Sequence, residues 1–263
     1  MIRVIGHGDV TELLCSTWRS RLAGFAVSAY VIRGVLVDTA FPQVGPALER
    51  WLDTQTVRGV VVTHAHEDHA GNVERMARRG VPLWLAPLTR ERLTRPPAIR
   101  PYRRFTWGAP PPLLSVVRPF EPDDLEIIPT PGHSPDHHVV FDPPTRTLVG
   151  GDLFLGVRVR VAHPAEDPRR QVETLRRIAA RDPVRLFDAH RGLVRGAAQA
   201  LRAKADWVEE MVTSIERLVR EGWTDRRIRD RVLGREGVVG YASGGEYSKL
   251  NFVRAVRRQA ERA

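Results

Sequence analysis

Cysteine is almost missing from this chain: Cys15 is the only one in 263 residues. No intramolecular disulfide can form, and nothing signals an oxidising compartment. Lysine is nearly absent as well, with Lys204 and Lys249 the only two among 41 lysines and arginines. The net charge of +10 is therefore arginine charge, spread along the chain rather than gathered in one patch. Such a surface is compatible with an RNA or another polyanion, but a dispersed charge is weak support for one. No apolar run approaches the roughly 20 residues needed to span a bilayer, so no membrane partner is expected. The opening Met1-Ile2-Arg3-Val4-Ile5-Gly6 reads as a strand and has neither the basic start nor the long apolar stretch of a secretory signal. The expectation is a cytoplasmic protein of unknown oligomeric state.

The remainder is ordinary globular composition, 42% hydrophobic and 27% charged, enough for one large domain or one domain with an appendage. Strand-like runs are Phe25 to Ile32, Val35 to Val37, Val57 to Val62, Pro82 to Leu85, Leu125 to Ile128, Val139 to Phe141, Thr147 to Val149 and Val184 to Phe187. Val57 to Val62 is continuously apolar, as a strand buried on both faces is. Helical stretches are read at Pro46 to Leu52, about Ala70 to Arg79 and Pro168 to Ala180. From about Gly196 onward the pattern turns helical, with Leu201, Ala205, Val208, Met211, Val212, Ile215 and Leu218 at core-packing spacing. Residues 94–119, rich in Pro and Arg, resist regular assignment and read either as a substrate-facing loop or as a surface excursion.

The densest chemistry is Thr63-His64-Ala65-His66-Glu67-Asp68-His69, directly after the Val57 to Val62 strand. Imidazole nitrogens and carboxylate oxygens are the ligands of zinc and similar divalent metals. Alternation puts His64 and His66 on one side of an extended segment, and a following turn or helix start can aim Asp68 and His69 at a second ion. Three further candidates sit where strands end: Pro-Gly-His133, Gly-Gly-Asp152 and Asp-Ala-His190. His7 and His163 have no evident partner.

In this order, those residues resemble the metallo-β-lactamase superfamily, over about residues 1–200. The resemblance implies an α/β fold, an αββα sandwich with the metal site at one edge of its two sheets. It implies a catalytic domain at residues 1–195 and a C-terminal helical extension at 196–263. His64, His66 and His133 would bind one ion, Asp68, His69 and His190 a second, and Asp152 would bridge them. The expected cofactors are two divalent ions, zinc first, with manganese or iron as alternatives. A hydroxide held between them would attack the substrate, with Asp68 as general acid/base. Asp38 is expected to support the histidine loop, His137 to be a core or supporting histidine, and Arg191 to meet an anionic substrate group. Thr130-Pro131-Gly132-His133-Ser134-Pro135-Asp136-His137 looks most like the glyoxalase II-type and β-lactamase-like endoribonuclease branches. The leading expectation is a hydrolase of a small anionic ester, thioester or lactone. A phosphodiesterase or ribonuclease, a mononuclear iron persulfide dioxygenase and a non-catalytic metal- or RNA-binding scaffold are the alternatives. Ser248 is read as the cap of the last helix.

Overall fold

The computed structural model describes residues 1–261, which divide into two units. The first comprises Met1–Pro129, Asp136–Asp152 and Val184–Arg195. It holds eleven strands in two sheets. The first sheet runs in sequence order: β1 (Ile2–Gly6), β2 (Val10–Cys15), β3 (Val27–Ile32), β4 (Val35–Val37), β5 (Gly59–Val61) and β6 (Leu83–Trp84). The second is built from β7 (Glu126–Pro129), β8 (His138–Asp142), β9 (Thr147–Gly151), β10 (Arg185–Asp188) and β11 (Gly192–Arg195), ordered β11-β10-β9-β8-β7. Pairing is parallel between β4, β5 and β6 and between β9 and β10, and antiparallel elsewhere.

Period-two alternation makes the sandwich. Tyr30, Ile32, Val35, Val37 and Val61 of the first sheet pack with Leu125, Val140, Val149 and Phe187 of the second. Val27, Ala29, Leu36, Val60 and Val62 point the other way, onto Leu48, Val73 and Met76 of the covering helices. β4 and β5 are thus buried on both faces, which is why their sequences are continuously apolar.

Two expectations change. The helix read at about Ala70 to Arg79 is two pieces, Glu67–Ala70 and Val73–Arg78. The break is at Gly71 and Asn72. A Cβ on Gly71 would lie 2.4 Å from Pro42 Cδ, so only glycine lets these backbones approach. Asn72 Nδ2 donates to the carbonyls of Thr39 (2.8 Å) and Phe41 (2.9 Å), holding the chain that follows β4. Within residues 94–119, Pro101–Thr106 is a helix, its first position taken by proline, whose φ is already helical.

Glu74 shows how the covering layer is tied down. Its buried carboxylate accepts from the amides of Leu114 and Ser115, the Ser115 hydroxyl and Arg78 Nε. Burial disfavours the anion, but these donors outweigh it and hold the carboxyl at about 2. A lowered folded value means the stabilisation is complete above the unfolded value near 4.3 and is lost as pH falls through the folded one. Glu74→Gln is expected to lower stability by about 2–3 kcal/mol at pH 7. Urea unfolding at pH 7 and pH 3 checks this: the penalty must shrink at the lower pH.

The second unit comprises Thr130–Pro135, Leu153–Pro183 and Gly196–Ala263. It is helical, with helices Pro168–Ala179, Ala197–Arg220, Asp225–Val232, Val238–Ala242 and Lys249–Ala260. Their apolar stripes meet in a core of Val208, Val212, Ile215, Leu218, Ile228, Phe252, Val253 and Val256. Ser248 caps the last helix as expected, accepting from the Leu250 amide. The loop 130–135 belongs here because the Gly132 carbonyl accepts from the Asp167 amide and the Pro131 carbonyl from the Thr174 hydroxyl. No helix among the described residues is long and apolar enough to cross a membrane.

Candidate metal centre

The candidate ligands of the first unit sit just past the carboxyl ends of parallel strands, where loops leave a rigid sheet. Asp38 follows β4, the histidine run follows β5, Asp152 follows β9 and His190 follows β10. His66 is the N-cap of the short helix Glu67–Ala70, and its carbonyl accepts from the amides of His69 and Ala70. That turn places Asp68 and His69 beside the two preceding histidines.

Ligand atoms of His64, His66 and Asp152 lie within 4.8 Å of one another, as do those of Asp68, His69 and His190. The two groups touch. Asp152 Oδ1 is 3.3 Å from His69 Nε2 and 3.4 Å from His190 Nε2. Asp68 Oδ2 is 3.3 Å from His190 Nε2 and 3.9 Å from His69 Nε2. His133 is buried on the loop 130–135 of the second unit, where its Nδ1 lies 3.9 Å from Glu166 Oε1.

Supporting residues fix which nitrogens face these groups. Asp38 holds a positive φ of 67°, a backbone that Asp tolerates better than most residues. Its Oδ1 accepts from the Thr63 amide at 2.8 Å. Its Oδ2 accepts from the Thr63 hydroxyl at 2.9 Å and from His69 Nδ1 at 2.8 Å. Having donated its hydrogen to Asp38, the Thr63 oxygen accepts from His64 Nδ1 at 3.0 Å. His190 Nδ1 donates to the Ala26 carbonyl at 3.0 Å. All three imidazoles therefore spend Nδ1–H on the protein; His69 and His190 turn Nε2 toward the carboxylates and His64 turns it toward His66 Nδ1, 2.9 Å away, leaving Nε2 for the site as orienting contacts do for metal-binding histidines. His69 Nε2 is buried with no hydrogen-bond partner, and its lone pair suits a cation.

The electrostatics agree. Burial opposes charging His69, yet the carboxylates of Asp152, Asp68 and Asp38 push it well above its ordinary value. Burial also opposes charging His190, and Asp152 and Asp68 raise it to about 9. Burial would raise Asp68, but His69 and His190 hold it well below the carboxylate range. The carboxylates draw positive charge onto these imidazoles, as protons here, and a divalent cation on the same nitrogens would meet the same demand. The donor set fits a metal.

His137 is not arranged as a ligand of these groups through Nε2, which accepts from the Asp152 amide at 3.0 Å. A side chain on Gly151 would lie 2.9 Å from both that nitrogen and Thr63 Oγ1. With φ at 49°, Gly151 is what allows the crossing. Arg191 is exposed beside His190 in sequence. Trp107, from the Pro/Arg-rich stretch, brings its ring to 6.5 Å from that of His190.

Three supporting residues escaped the sequence reading. Thr63 links Asp38 to His64. Asp136 Oδ2 accepts from the Ala65 amide at 2.9 Å and the Thr89 hydroxyl at 3.0 Å, while its Oδ1 accepts from Arg92. Glu67 pairs with Arg103. All three lie inside runs that the sequence singles out, Thr63 and Glu67 in the histidine run and Asp136 in Gly-His-Ser-Pro-Asp-His, but nothing in the sequence names their partners. His7 is paired with Glu12 at 2.8 Å, and His163 faces Glu246 and the Tyr247 ring.

A sequence profile described as the metallo-beta-lactamase superfamily matches residues 22–223. The chain belongs to the metallo-β-lactamase superfamily. Among solved structures it is similar to a metallo-beta-lactamase from Pontibacter korlensis, with TM-score 0.61 and 20% identity over 80% of this chain and 99% of that one. It is also similar to a metallo-beta-lactamase family protein from Thermus thermophilus, with TM-score 0.69 and 16% identity over 96% of this chain and 92% of that one. At these identities the likeness is one of fold, and it bears out the αββα sandwich. A curated relative, "Probable metallo-hydrolase YybB" of Bacillus subtilis (strain 168), is 28% identical over 126 residues, 43% of this chain. The match spans 56% of that relative's length. The superfamily is the one expected from the motifs.

Asp38→Ala removes the anchor of this centre. It is expected to weaken metal affinity by about 10–100-fold, because His69 loses its orienting acceptor. Competition against a chromogenic chelator measures it; affinity equal to that of the unmodified protein refutes the anchoring role.

Proposed function

We propose that this metallo-β-lactamase-superfamily member is a dinuclear metal-dependent hydrolase of a small anionic ester, thioester or lactone. The observation that carries the reading is Asp152: it belongs to one ligand group with His64 and His66, yet contacts both histidines of the other. A carboxylate so placed would serve both ions. Asp68 serves the second group, and the metallo-hydrolase name of the Bacillus relative points the same way. Bound divalent ions, zinc before manganese or iron, supply Lewis acidity and bring a water's acidity toward about pH 7. The protein's own part is positioning and proton transfer. His64, His69 and His190 are fixed through Nδ1. Asp68 holds one oxygen against His190 and takes the proton of the attacking water on its carboxylate. Arg191 meets the anionic group of the substrate in fork geometry.

The test is a panel of ester, thioester, lactone and β-lactam substrates on protein whose metals have been counted, with bis-(p-nitrophenyl) phosphate and short RNA beside them. Two metal equivalents and turnover of an acyl substrate are expected. Turnover confined to the phosphodiester or RNA moves the chain to the nuclease reading, for which the net charge of +10 is the supporting observation. A single iron with oxygen consumption overturns the dinuclear reading.

A further inference from the structure

The helical unit contains a cavity of about 680 Å³, within the size range of small-molecule sites. Its walls are apolar: Val159, Val161, Trp207, Met211, Leu233 and Val239. Its polar lining is chiefly cationic, with Arg158, Arg160 and Lys249 against the single carboxylate of Glu210. Several arginines of this unit are spent on ion pairs, such as Arg169 with Glu216, Arg176 with Glu209 and Arg257 with Asp225. Among the described residues, Arg158 and Arg160 have no such partner, and both are exposed. Lys249 is occupied, donating to the carbonyls of Leu233 and Arg235. The short helix Val238–Ala242 adds Val238, 84% exposed, at the same wall.

We propose that this cavity binds a small amphiphilic anion, an apolar body of acyl-chain size carrying one carboxylate or phosphate group. The apolar body sits against Trp207, Met211 and Val239. The anionic group is held by Arg158 and Arg160, whose guanidinium forks match carboxylate and phosphate oxygens. Charge complementarity selects the anion, and a half-open groove of about 680 Å³ has room for a small molecule. The assignment does not rest on the metal reading, since every lining residue lies between 158 and 249 in the helical unit.

Isothermal titration of the full chain with decanoate, below its micelle concentration, tests the site. Saturable binding at one per chain is expected, shared by decyl phosphate and absent for acetate and decyltrimethylammonium. The double variant Arg158→Ala/Arg160→Ala should weaken decanoate at least tenfold with an unchanged circular dichroism spectrum. Arg158→Lys/Arg160→Lys should retain most of the affinity, and Met211→Glu should abolish it. Asp68→Ala should bind decanoate as the unmodified chain does; loss of binding there locates the ligand at the metal centre and overturns the assignment. Decan-1-ol binding as tightly as decanoate, no saturable binding at all, or binding only to anionic phosphatidylglycerol vesicles overturns it equally.

Discussion

Asp68→Ala is expected to lower hydrolytic turnover by about a hundred- to ten-thousand-fold, the range of a lost general acid/base. Asp68 is buried, with one oxygen 3.3 Å from His190 Nε2. The surrounding imidazoles keep it ionised despite that burial, so the side chain is the anion at neutral pH. Two roles, ligand and base, end in the same loss of activity. Elemental analysis of the same preparation separates them. Two metal equivalents with collapsed turnover mark the base, and loss of one equivalent marks the ligand. Asp68→Asn keeps an oxygen for coordination but cannot take a proton, so under the base reading it should stay inactive while metal-loaded. Turnover within tenfold of the unmodified enzyme in Asp68→Ala refutes both.

The candidate cluster was legible because it is local: three imidazoles and a carboxylate fall within six positions, and the other candidates follow strands of evident apolar character. The strands themselves read well where both faces are buried. β2 did not, because Glu12 occupies a buried position and accepts from Ser28 and His7, so a charge interrupts the apolar pattern. What supports the site was illegible for a related reason. Asp136 reaches the Ala65 amide across 71 residues of sequence, and Arg103 reaches Glu67 across 36. A buried carboxylate looks in sequence like a solvated one, because the partner that neutralises it is chosen by the fold. The helix Pro101–Thr106 was hidden likewise, since Pro and Arg mark a loop until a buried acceptor is found for one of the arginines.

That acceptor yields the second large effect. Glu67 and Arg103 are buried, 3% and 9% exposed, and joined by two parallel bonds, Nε to Oε1 at 2.6 Å and Nη2 to Oε2. The pair fastens the Pro101–Thr106 helix to the short helix that carries Asp68 and His69. Burial raises the Glu67 carboxyl even with the guanidinium beside it, so desolvation outweighs the attraction. Such a pair adds little over a well-packed apolar replacement, yet breaking it strands a charge. Arg103→Met is therefore expected to lower stability by about 3–5 kcal/mol. The double variant Glu67→Leu/Arg103→Met should recover most of that, giving a coupling of at least about 2 kcal/mol in urea unfolding. Additive single losses would show that the two side chains are not joined. The same double variant, stable but without the directional clasp, should hold its metals less tightly than the unmodified chain, because the turn that aims Asp68 and His69 is then held only from the Asp38 and Thr39 side.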